Sequence, residues 1–99
     1  MSAPIIQSHY DELAAIGRTF ERYADELNAM QRLMTNCLDQ LRRGGWRGRG
    51  AEAFYDEMLD SVLPALMRLR HALQDAAFST KQIVHTLSRA ELEAAQLFG

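Results

Sequence analysis

Apolar residues recur every seven positions along the first half of the chain: Ile6, Leu13, Phe20, Leu27, Met34 and Leu41. Three residues beyond the first five of these stand His9, Ile16, Tyr23, Met30 and Cys37. Steps of three and four keep side chains on one face of an α-helix. Asp11, Arg18, Asp25, Arg32 and Asp39 repeat with the same period on the opposite side. A charged outer line and a mostly apolar inner line are what a bundle or coiled-coil helix requires. The pattern predicts a first helix over about residues 8–43. Ser8 with Asp11 reads as a capping box at its start. Arg42 and Arg43 suit the negative end of its dipole, and Gly44 and Gly45 stop it.

The second half repeats the arrangement. Leu59, Leu66, Leu73, Thr80, Leu87 and Ala94 form one row, and Val62, Leu69, Ala76, Ile83, Ala90 and Leu97 form the row beside it. They predict a second helix over about residues 51–97. Pro64 lies inside it, lacks a backbone donor and crowds the preceding turn, so a kink is expected there. Two helices separated by a break at residues 60–63 are the alternative. Between the arms lies the turn 44–50, which holds Gly44, Gly45, Gly48 and Gly50 of the chain's six glycines. So short a connection makes neighbouring helices antiparallel.

The predicted fold is therefore all-α, one domain over residues 1–99, an antiparallel two-helix hairpin. Leu13, Phe20, Leu27, Met34, Leu66, Leu69, Leu73 and Ile83 are its expected packing residues, within the hairpin or between hairpins. Apolar positions exceed what one seam can use: Tyr10, Ala24 and Leu38 on the first arm, and Phe54, Met58, Leu63, Met67, Ala77 and Val84 on the second. Apolar arcs left in water mark interfaces. They predict that two hairpins pair into a four-helix bundle, with the second chain either another copy or a sister protein.

Composition narrows the chemistry. Eleven basic and thirteen acidic residues leave a net charge of -2, unlike the basic balance of a general nucleic-acid binder. No apolar run approaches the ~20 residues of a membrane span, and residues 1–6 show no cleavable signal peptide. The lone Cys37 lies on an apolar row and reads as a small buried hydrophobe. His71 and His85 stand about 21 Å apart along one helix; His9 and His85 lack a clear third ligand. No metal, cofactor or catalytic residue is expected. Ser8, Ser61, Ser79 and Ser88 fall in no nucleophile motif, and two thin helices enclose no reaction pocket. The chain reads as a non-enzyme that acts by binding.

Trp46-Arg47-Gly48 sits in the turn between two heptad-patterned helices in a chain of 99 residues. This constellation resembles the Trp-x-Gly family of about one hundred residues, the early-secreted-antigen-like proteins of type VII secretion. The resemblance implies a helical hairpin that folds in the cytoplasm, pairs with itself or with a family member, is recognised by a membrane ATPase and is exported without a cleavable signal. It implies a role as substrate, chaperone or structural component. It also implies that Trp46 and Gly48 contribute to the surface read by the export machine. A family export signal of the form Tyr-x-x-x-Asp/Glu is absent from the tail, because Leu87 occupies the Tyr position ahead of Glu91. A second form, in which an acid and three apolar residues share one helical face, matches Leu87, Glu91, Ala94 and Phe98. Two other readings stand beside this one. The same apolar arcs suit a cytosolic adaptor or chaperone for a larger helical partner. The Arg42, Arg43, Arg47 and Arg49 set around Trp46 suits an Arg-Gly RNA-binding module.

Overall fold

The computed structural model describes the backbone of residues 3–98 and the side chains of residues 9–98. It is all-helical: α1 (Ala3–Arg43), α2 (Arg49–Glu57), a π-helical turn (Met58–Val62) and α3 (Leu63–Phe98). No strand occurs among the described residues. The helix α1 begins at Ala3, so Ser8 lies within it rather than at its cap. The side chains of Ile6 and Ser8 lie outside the described set.

Helical structure runs without interruption from Arg49 to Phe98, with the π turn just ahead of Pro64. Pro64 cannot donate to the carbonyl four residues back, and its ring crowds it. A wider turn, in which the Leu63 N–H reaches the Met58 carbonyl, relieves that crowding just before the proline.

The chain packs as two compact units, Tyr23–Ala72, and Met1–Arg22 with Leu73–Gly99. In Tyr23–Ala72, Leu38, Ala51, Tyr55 and Leu63 form the core, with Met34, Met58 and Leu66 packed against it. A polar layer lies in the same unit. The half-buried Arg70 donates from Nη1 to Asn28 Oδ1 at 2.6 Å and to Gln31 Oε1 at 3.4 Å, while its Nε has no partner. An unpaired buried donor costs about 1–3 kcal/mol, so this layer serves register better than stability.

In the other unit the helices approach through small residues. Ala77 and Thr80 are buried, and a Cβ placed on Gly17 would lie 3.2 Å from Thr80 Cγ2. Lys81 pairs with Glu21 across the seam. The contacts Glu21–Lys81, Gly17–Thr80 and Tyr10–Glu91 show that each step back along α1 is a step forward along α3. The helices are antiparallel.

One pattern describes the seam along α1 and α3. Of the first heptad row, Leu13, Phe20, Leu27, Met34, Leu66 and Leu73 are half-buried and Thr80 is buried, whereas Leu41, Leu59, Leu87 and Ala94 are exposed. Although Val62 and Ala76 of the row three residues later are half-buried too, its companion is chiefly the row four later. On α1 that row is Tyr10, Gly17, Ala24, Gln31 and Leu38, and on α3 it is Leu63, Arg70, Ala77, Val84 and Glu91, all buried or half-buried. The residues read as surplus therefore supply much of the core. Leu69 and Ile83 are exposed and stand outside the seam, as do Ile16, Tyr23 and Met30. Cys37 is exposed for the same reason, contrary to its reading as buried. Both rows flank the first on a helical wheel. The row holding Gly17, Ala24 and Ala77 lets the backbones come close, whereas Ile16, Tyr23 and Ile83 would hold them apart.

Gly17→Ala tests this approach. In an open helix interior the change stabilises by about 1 kcal/mol. Here the Thr80 methyl is fixed, because the Thr80 hydroxyl donates to the Ala76 carbonyl at 2.7 Å. Thermal melts should show Gly17→Ala destabilising the protein by about 1–3 kcal/mol through overpacking. In a Thr80→Ser background, which removes that methyl, the same change should become neutral or stabilising.

Candidate functional site

The turn is built from backbone hydrogen bonds that its sequence makes obligatory. The Trp46 N–H donates to the Leu41 carbonyl at 3.0 Å and the Gly45 N–H to the Arg42 carbonyl at 3.1 Å. This pair of bonds is the Schellman motif, which needs a left-handed residue between them. Gly45 supplies it with φ +85°. Gly48 then opens α2 with φ 119° and ψ 177°, a region that essentially only glycine occupies. A Cβ on Gly48 would meet nothing within 4 Å. The requirement for glycine in Trp-x-Gly is thus conformational rather than steric.

Trp46 closes the turn from above. Its ring centroid lies 5.4 Å from that of Phe54 and 5.5 Å from that of Tyr55, tilted by 59° and 79°. Tilted and edge-on contacts suit the ring quadrupoles. Tyr55 is 1% exposed and donates its hydroxyl to the Trp46 carbonyl at 3.0 Å. On its other side the Arg42 guanidinium lies 4.6 Å from the Tyr55 ring centroid. Tyr55 therefore ties the loop to α2, whose buried face it shares with Ala51. It was read only as the edge of an apolar stripe. The signal that could have found it is three aromatics within ten residues, Trp46, Phe54 and Tyr55, with Ala51 and Tyr55 four apart. Trp46 remains 42% exposed, so the turn presents an indole to its surroundings. Beside it lies a depression of about 190 Å³ lined by Arg42, Trp46, Arg47, Glu52 and Tyr55.

The tail residues Leu87, Glu91, Ala94 and Phe98 lie on α3, and their spacing places them on one arc of it. Leu87 and Ala94 are exposed and Phe98 is 90% exposed. Glu91 differs: it is half-buried and accepts a hydrogen bond from the Tyr10 hydroxyl. Partial burial, that bond and the carboxylate charge all raise the Tyr10 pKa above its ordinary 10.0. A raised tyrosine pKa means the contact contributes below its ordinary value and is lost as pH rises beyond it, so it is fully present at neutral pH.

The histidines lie apart from any such arrangement. His9 Nδ1 is 3.7 Å from Glu12 with both side chains exposed, and His71 and His85 are exposed. Among the described residues, no three His, Cys, Asp or Glu side chains are grouped to hold a metal. No helix among them is long and apolar enough to cross a membrane.

The sequence model of the WXG100 family, described as proteins of 100 residues with WXG, matches residues 5–92. The chain belongs to the WXG100 family. No curated protein and no solved structure matches it. Membership associates the chain with type VII secretion as a small helical protein. In this WXG100 protein the motif is Trp46-Arg47-Gly48 at the turn. Leu87 and Glu91 fall inside the matched span, and Ala94 and Phe98 beyond it.

Two glycines of the turn should respond oppositely to alanine. Gly48→Ala should lower stability to urea by about 1–3 kcal/mol, the strain of its backbone region. Gly50, helical and with nothing within 4 Å of a new Cβ, should tolerate alanine with a gain of up to about 1 kcal/mol.

Proposed function

We propose that this WXG100 protein is a secreted substrate, chaperone or structural component of a type VII secretion system and acts by protein–protein binding. The observation that carries the binding role is the bulky heptad row left outside the seam on both arms. Ile16 and Ile83 in one unit, and Tyr23, Met30 and Leu69 in the other, are each about half exposed. By the approximate two-fold relation of antiparallel helices, corresponding rows fall on one side of each unit. Such a stripe suits a second hairpin, whether an identical copy or a sister chain, and the product is a four-helix bundle. The membership of the family supports the secretion role. The chain folds in the cytoplasm, a membrane ATPase reads Trp46 and the tail face of Leu87, Glu91, Ala94 and Phe98, and export proceeds without a cleavable signal.

Pairing is tested by light scattering behind size exclusion. The wild-type chain, alone or mixed with a sister protein, should elute as a dimer at micromolar concentration. Met30→Glu with Ile83→Glu should give monomers of near-native helicity. A monomeric wild type in both settings would remove the bundle.

Export is tested by immunoblot of culture supernatant from the source cells, with and without the membrane ATPase. Release should require the ATPase. Trp46→Ala, and removal of about the last ten residues, should each reduce release while helix content and dimer mass persist. Retention inside both strains would transfer the same apolar rows to an intracellular adaptor role.

A further inference from the structure

The turn carries a charge and aromatic pattern that neither pairing nor helix formation requires. Residues 40–51 hold Arg42, Arg43, Arg47 and Arg49 and no acid. All thirteen acidic residues, and only seven of the eleven basic ones, lie elsewhere. A basic end thus stands on a net acidic chain, an asymmetry that orients it toward anionic surfaces. All four arginines are exposed. Among them Trp46 and Phe54 pack at 5.4 Å while each stays about two-fifths exposed. An indole and a phenyl ring amid guanidinium groups match the headgroup region of a bilayer, where aromatic rings settle and arginines pair with phosphates.

Other anionic partners fit less well. The Trp46, Phe54 and Tyr55 rings meet one another at 59–79°, which leaves no parallel faces to sandwich a base. The depression beside Trp46 has Glu52 in its wall together with Arg42 and Arg47, so it is no uniformly basic pocket for a single small anion. The arginines come from the end of α1, the loop and the first turn of α2, and only Arg42 and Arg47 of them line that depression. A broad anionic surface suits exposed arginines spread over three elements better than a single small ligand does. We propose that the turn from Arg42 to Phe54 binds anionic membrane surfaces, with Trp46 and Phe54 seated at headgroup depth and the arginines on lipid phosphates. The contact is interfacial, and it is independent of the export reading.

Trp46 is the chain's single tryptophan, so its fluorescence reports this turn alone. The full chain is titrated with vesicles of phosphatidylcholine and phosphatidylglycerol, with phosphatidylcholine vesicles, with soluble glycerol phosphate and with single-stranded RNA. Only the phosphatidylglycerol vesicles should shift Trp46 emission to the blue and shield it from acrylamide. Added salt should weaken the effect. Arg47→Gln with Arg49→Gln should lower partitioning about thirtyfold with helix content unchanged by circular dichroism. No shift with the anionic vesicles, or an equal shift in the double variant, would overturn the proposal. So would a shift with glycerol phosphate or RNA, which makes the turn a soluble-anion or nucleic-acid site. Sedimentation with vesicles while Trp46 emission stays unchanged would place the contact on another surface, such as Leu97 and Phe98, and overturn it equally.

Discussion

Two helices share a seam only as closely as their side chains allow, and here the closeness comes from side chains that are nearly absent. Gly17 faces Thr80 so closely that an added methyl group would lie 3.2 Å from Thr80 Cγ2, and Ala24, Ala51 and Ala77 are each 2% exposed. Backbones this near leave little interior to fill. Tyr55, at 1% exposed, is accordingly the most completely buried large side chain among the described residues. The same economy decides what faces outward. Once the small row is turned inward, the bulky row on its far side stays about half exposed, and its apolar surface is available to another molecule.

The turn answers a different constraint. A helix of 41 residues must stop and another must start in the opposite direction within a few residues. Gly45 and Gly48 supply the two backbone conformations that other residues resist, and Tyr55 fastens the loop by its hydroxyl and its ring. Trp46 then has a structural duty through its carbonyl and the inner edge of its ring, while its outer part remains available. The motif can therefore be a folding element and a recognition element at once.

The all-helical hairpin was legible because a seven-residue apolar repeat with one glycine-rich interruption admits few other folds. The choice between companion rows was not legible. Positions three and four after a heptad residue flank it almost symmetrically, and hydrophobicity favours Ile16, Tyr23 and Met30 over Gly17, Ala24 and Gln31. Packing distance reverses that preference, and distance is a property of the pair of helices that neither sequence segment carries alone. Pro64 was legible as a disturbance but not in its form. The π turn adds a residue between Met58 and Leu63 and brings Leu63 into the core. At the candidate site, Trp46 and Gly48 stood out by their position in the turn. The partner Tyr55 looked like any apolar helix residue, because its role depends on a carbonyl nine positions away. The tail face was legible as a spacing, whereas the engagement of Glu91 with Tyr10 required the antiparallel pairing.

The backbone of Gly48 has one further implication. Its φ of 119° and ψ of 177° are nearly the mirror image of an ordinary extended residue. Handedness, not size, excludes every other encoded amino acid there, since space around the position is open. A residue of the opposite chirality would find the conformation relaxed. A D-alanine introduced by chemical synthesis would fit the turn without displacing a neighbour and would restrict the unfolded chain more than glycine does. A D-residue with a longer side chain would carry a label or cross-linker outward from the bend, beside the indole, with both helices left in place.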